Sequence, residues 1–121
     1  MRDFPISTTT ALAAAATYTS AWKRVRYIPA ATFQTVPQAF DWAEYIHGIA
    51  FSDVAGTLWI DHSNDGVTVH SQDAPLPVGA GLAGALAYNR PTYGVFVRLR
   101  YVNGAVAQAT FSLSWILSGP Q

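Results

Sequence analysis

Gly56-Thr57-Leu58-Trp59-Ile60-Asp61-His62-Ser63-Asn64-Asp65-Gly66 and Val95-Phe96-Val97-Arg98-Leu99-Arg100-Tyr101-Val102-Asn103-Gly104 decide the fold of this 121-residue chain. Both stretches alternate apolar and polar residues and end in turn chemistry. Successive strand residues face opposite sides of a sheet, so Leu58 and Ile60, and then Val95, Val97, Leu99 and Tyr101, form apolar rows, while Asp61, Arg98 and Arg100 face away. The expectation is an all-β domain, an antiparallel β-sandwich of jelly-roll-like or immunoglobulin-like form.

Other segments fit that frame. Thr17 to Val25 reads as a first strand with Tyr18, Ser20 and Trp22 on one face. Phe40 to Ser52 is ambiguous between helix and strand, and Gly48 with the β-rich end favours a strand carrying Tyr45, His47, Ile49 and Phe51 on one side. After the Asn-Asp-Gly turn, Val67 to His70 is expected to return as a short partner strand beside Gly56 to Ser63, with Asp61 opposite His70 and His62 opposite Val69. The glycines and prolines from Pro75 to Gly84 read as a loose connection, and Leu86 to Tyr88 as a short strand.

The second stretch reads as a hairpin closing on itself. A two-residue turn at Asn103-Gly104 would put Phe111, Leu113 and Trp115 on the arginine face. A three-residue loop with Gly104 in the left-handed conformation instead pairs Val97 with Ala109 and Val95 with Phe111, leaving Arg98 beside Gln108. The bulged form is expected, and a β-branched residue at Gly104 should then destabilise it.

Residues 1–10 read as an extended N-terminal arm and 11–121 as a single sandwich domain with a long loop or insertion at about 24–40. Seven basic residues balance seven acidic ones and only 12% of residues are charged, so no electrostatic footprint for nucleic acid is visible. With half the residues hydrophobic, so quiet a surface points to a subunit of an assembly. The absence of cysteine removes disulfides and thiolate chemistry. Ala11 to Ala16 is too short to span a bilayer and Arg2-Asp3 makes a poor signal peptide, so a cytosolic start near Met1 and no membrane partner are expected.

Catalytic patterns are weak. Asp61-His62-Ser63 holds the residue types of a hydrolase triad, but strand neighbours diverge and cannot meet at one substrate atom. Asp61, Ser63, Asp65 and Gly66 imitate the start of a calcium loop whose twelfth position, Gln72, lacks the needed carboxylate. Asp61 with His70 would supply two metal ligands, too few for a dedicated site. Glu44, the only glutamate, lacks an evident carboxylate partner, and no phosphate-cradling glycine loop opens a helix. No catalytic residue, cofactor or metal is expected, and the chain reads as a non-enzyme. Trp59, out of phase with Leu58 and Ile60, should point outward or into a neighbouring subunit; stacking on a sugar ring would use such a residue too, and simple core packing against the other sheet is the plainer alternative.

Three segments carry a resemblance: Ala16-Thr17-Tyr18-Thr19-Ser20; Phe51 to Ile60 running into Ser63-Asn64-Asp65-Gly66; and Val97 to Ala105 with Gln108. Together they resemble a family of small tailed-phage virion proteins. Two departures stand out: Val67-Thr68-Val69 replaces the aromatic usual after the turn, and the excursion after Arg24 looks inserted. The resemblance implies a decoration or cement protein on an icosahedral head, made in the host cytoplasm and sited on the capsid surface. Its implied partners are the major capsid protein and further copies of itself, a trimer being favoured. A tail or baseplate component, or a carbohydrate-binding module of a tail fibre, is the alternative. Candidate interface residues are Phe4, Pro5 and Ile6 of the arm, Trp22, Arg24, Arg26, Phe33, Trp59, Arg98 and Arg100, with the tail from Ser118 to Gln121 as a further contact.

Overall fold

The computed structural model describes residues 6–25 and 45–118. Ten strands and one helical turn make up the described residues: β1 (Ile6–Thr8), β2 (Thr17–Thr19), β3 (Lys23–Arg24), β4 (Tyr45–Ser52), β5 (Gly56–Ser63), β6 (Ser71–Gln72), β7 (Leu76–Val78), α1 (Gly81–Gly84), β8 (Leu86–Pro91), β9 (Phe96–Asn103) and β10 (Phe111–Ser118). They form two antiparallel sheets, one ordered β1-β10-β4-β8 and the other β2-β9-β5-β6, with β3 beside β9 and β7 beside β5. The expected all-β sandwich is therefore the architecture.

The pairing is nested. First pairs with last (β1 with β10), the β2–β3 segment with β9, β4 with β8, and β5 with the β6–β7 segment. This winding of antiparallel pairs into two facing sheets is a jelly roll, which decides between the two sandwich forms. Within the stretch expected as an arm, Ile6–Thr8 form β1, an edge strand of the small sheet whose Ser7 lies opposite Ser114.

The period-two rows become the core. Leu58, Ile60, Val97, Leu99 and Tyr101 from the large sheet face Ile46, Ala50, Leu113, Trp115 and Leu117 from the small one, all buried. Tyr101 packs on Phe111 with ring centroids 4.8 Å apart. On β4 the inward row is Ile46, Gly48, Ala50 and Ser52, so Tyr45, His47, Ile49 and Phe51 occupy the outward face. Tyr88 pairs with Gly48 and lies over it, its hydroxyl donating to the Ser114 carbonyl at 2.8 Å.

Three sequence expectations are corrected. The hairpin expected from Val95 to Trp115 does not form: β9 pairs with β5, putting Val97 opposite His62, and β10 crosses to the other sheet, putting Phe111 opposite Ser52. Gln108 lies far from Arg98, at the end of the sandwich where the β1–β2, β4–β5 and β9–β10 crossings meet. There it exchanges hydrogen bonds with Leu12, accepting at Oε1 (2.8 Å) and donating from its backbone (2.9 Å), while its Nε2 donates to Ser52 Oγ. Asn103 Nδ2 donates to the Ala13 and Val106 carbonyls, each at 2.9 Å. The Asn103-Gly104 motif thus joins crossings instead of turning a hairpin.

Gly104 is not left-handed either, since the positive-φ glycines are Gly66, Gly81 and Gly94. It is small because a Cβ would sit 2.7 Å from the Ala55 carbonyl oxygen, the acceptor of its own N–H. Gly104→Val is therefore still expected to destabilise, by about 1–3 kcal/mol through overpacking, as a lowered denaturation midpoint would show.

The strand expected over 17–25 breaks in two. Thr19 lies opposite Arg100 but Lys23 opposite Val97, a one-residue register shift that defines a bulge at 20–22. Ser20 holds it, accepting Leu99 N–H at Oγ (3.0 Å) and donating to the Ala21 carbonyl (3.1 Å). A one-residue slip moves side chains to the other face, so Trp22 leaves the side shared by Tyr18 and Ser20 and emerges opposite Arg98.

Candidate interaction surface

The outward face of the large sheet is built around one carboxylate. β5 sends Trp59 and Asp61 outward, and β9 sends Arg98 and Arg100, with Trp59 opposite Arg100 and Asp61 opposite Arg98. Asp61 Oδ2 accepts from Arg98 Nε at 2.9 Å and Arg100 Nε at 3.2 Å. Its Oδ1 accepts from Arg100 Nη2 at 3.2 Å and Gln72 Nε2 at 3.1 Å. The Asp61 side chain is 0% exposed while those of Arg98 and Arg100 are 22% and 23% exposed, so the carboxylate lies sealed beneath two partly open guanidiniums.

Each guanidinium also covers an indole: Arg98 Cζ lies 4.4 Å from the Trp22 ring centre and Arg100 Cζ 5.0 Å from that of Trp59. Stacking on one side and ion pairing at Nε fix both side chains in place. Burial alone would push the Asp61 carboxyl up, but the bonds from Arg100 and Arg98 outweigh it and hold the carboxyl below its ordinary range.

The structure therefore gathers four of the ten expected interface residues, Trp22, Trp59, Arg98 and Arg100. Trp59 points outward as expected, beneath an arginine. Arg24 stands further along the same face, its Cζ 6.0 Å from the Phe96 ring centre. Ile6 opens β1, whereas Phe4, Pro5, Arg26 and Phe33 fall outside the described residues, as does the tail beyond Ser118. What the sequence reading missed is Asp61, taken as a solvent-facing acid. Its signal was its parity with Trp59, but only the adjacency of β5 and β9 turns that parity into a buried ion pair.

The Asp61-His62-Ser63 run diverges. His62 points inward, its Nε2 3.0 Å from Asp73 Oδ1 and its Nδ1 accepting the Tyr93 N–H at 3.2 Å. Ser63 Oγ donates to Asp65 and accepts the N–H groups of Asp65 and Gly66. The expected register of the return strand is also corrected: Asp61 faces Gln72 and His62 faces Ser71, because the loop widens to carry His70, whose Nδ1 accepts the Asn64 N–H. Asp61 and His70 do not meet, and among the described residues no three His, Cys, Asp or Glu side chains gather into a metal-holding group.

Asp65 organises that wide loop. Its Oδ1 accepts the Val67 and Thr68 N–H groups at 2.8 and 2.9 Å. The Thr68 bond foremost, with those of Val67 and Ser63, holds its carboxyl at about 2. A depressed carboxyl stabilises the fold above its unfolded value near pH 4, and the contribution disappears as pH falls toward 2. Asp65→Asn is thus expected to melt below the wild type at pH 6, with the gap narrowing from pH 4 to pH 2 in thermal scans.

Comparison with known proteins adds two findings. Residues 2–118 match the family described as the uncharacterised protein YqxG N-terminal domain. The crystal structure of PBSX exported protein XepA superposes with a TM-score of 0.78 at 22% identity, over 98% of this chain and 38% of XepA. The chain thus corresponds to well under half the length of that protein, and at this identity the likeness speaks for the fold. No curated protein matches the sequence.

Proposed function

The chain belongs to the YqxG N-terminal domain family, and from that premise we propose that it is a phage-encoded structural protein working by attachment, in its specific form a capsid decoration protein. The observation carrying this reading is the Asp61-centred face, where Trp22, Trp59, Arg98 and Arg100 are locked in place at a partly open surface. A side chain immobilised before binding loses little further entropy on contact, which suits adhesion. The fold likeness to a protein of the PBSX phage supports the phage origin. The jelly roll itself hosts many activities and adds little on its own.

In this reading the partners are the major capsid protein and other copies of the chain, a trimer being favoured, and the chain needs no cofactor and performs no catalysis. It sits on the virion and engages neither nucleic acid nor membrane. XepA is described as exported, and that word favours a second reading in which the protein acts after release, away from the head.

Gradient fractionation of a phage lysate separates the two. Co-banding of the protein with intact particles is expected, whereas recovery only in the particle-free fraction would favour the exported form. A glycan array tests the tail-fibre alternative: specific sugar binding lost in a folded Trp59→Ala variant would displace the capsid role.

A further inference from the structure

The guanidinium ladder still has open donors. Asp61 takes Nε of Arg98 and Nε and Nη2 of Arg100, and among the described residues neither Nη atom of Arg98 nor Nη1 of Arg100 makes a hydrogen bond. These nitrogens belong to the side chains that reach solvent, at 22% and 23% exposure. Two positive charges meet one negative, leaving one positive charge over, and Asp61 is the only acidic residue in any described strand. The indole faces toward the arginines are covered, so the face offers donors more than bare rings.

Spacing narrows the ligand. Arg98 and Arg100 are alternate residues of β9, about 6.5–7 Å apart along the strand, which is the spacing of alternate side chains in any other extended segment. A planar fork recognises carboxylate oxygens geometrically as well as by charge. We infer that the outward face of the large sheet docks an acidic, extended segment of a partner protein, two carboxylates on alternate residues meeting the open Nη groups of Arg98 and Arg100. This rests on the reading of the chain as an attachment protein and names the chemistry of what it attaches to.

The test titrates the full chain with a fluorescein-labelled decapeptide of alternating glutamate and serine, following anisotropy at low ionic strength. Arg98→Lys/Arg100→Lys keeps both charges beside Asp61 and removes the forks. Saturable binding is expected for the wild type, weakened about tenfold in the double variant and absent for a lysine–serine peptide. If the double variant does not fold, side-chain NMR of the wild type decides, since the peptide should shift the Arg98 and Arg100 guanidinium signals. The inference is overturned by absent binding, by equal binding to folded wild type and variant, by unshifted guanidinium signals, or by tighter binding of polygalacturonate or oligothymidylate. A protein that co-bands with particles yet ignores the acidic peptide loses this docking surface and keeps its attachment role. One that binds the peptide through its arginines but never bands with particles keeps the surface and loses the phage role.

Discussion

Gly48→Ala is expected to lower the melting temperature by about 12 °C or more. Gly48 lies mid-strand in β4, on the inward row, and a Cβ there would overlap the Ser114 carbonyl of β10 and come within 2.9 Å of the Tyr88 hydroxyl. The first obstacle is backbone, so no rotamer change relieves it. Making room means moving β10 off β4 at the centre of the small sheet, or displacing Tyr88 and breaking its 2.8 Å bond to Ser114. Overpacking of this kind costs about 3 kcal/mol or more, a large share of the roughly 5–15 kcal/mol that holds a domain together. Tyr88→Phe removes only the hydroxyl and should not rescue the variant. A thermal scan showing Gly48→Ala within a few degrees of the wild type would mean that the two strands do not approach as described.

Asp61→Ala is expected to cost about 2–4 kcal/mol, less than a fully enclosed pair because both arginines keep some access to water. Two guanidiniums would face each other without their shared counter-ion, and Gln72 would lose its acceptor. For a chain of this length the melting temperature should fall by about 8–16 °C. The triple variant Asp61→Leu/Arg98→Met/Arg100→Leu should recover most of that loss, since apolar side chains filling the same space need no desolvation of charge. Recovery of stability with loss of binding would separate what Asp61 does for the fold from what the arginines do for a partner. A single Asp61→Ala variant melting like the wild type would show that the carboxylate is not buried between them.

What the sequence made legible is what depends on local alternation. Leu58 and Ile60, and then Val97, Leu99 and Tyr101, faced inward as their period required, and Trp59 faced out. Partner choice was not legible, because jelly-roll pairing is nested and most neighbours lie far apart in sequence: Arg98 meets Asp61 across 37 residues and Leu12 meets Gln108 across 96. A hairpin is the cheapest closure of an Asn-Gly stretch considered alone. Here Asn103 spends its side chain on the Ala13 and Val106 carbonyls, and the chain crosses to the other sheet. The bulge after Thr19 was equally hidden, since Ser20 marks it only through its bond to Leu99 on another strand. The candidate face was half visible for the same reason: its aromatic and basic members could be named one by one, but the acid that binds them together reads as an ordinary solvent-facing residue until β5 and β9 lie side by side.

The central claim is attachment, and cryo-electron microscopy of particles from strains that make and lack this protein tests it most directly. Difference density the size of one jelly-roll domain is expected at repeated positions on the head, with the Trp22, Arg98, Arg100 and Trp59 face turned toward the capsid. Particles of identical density with and without the protein, on head and tail alike, would contradict it.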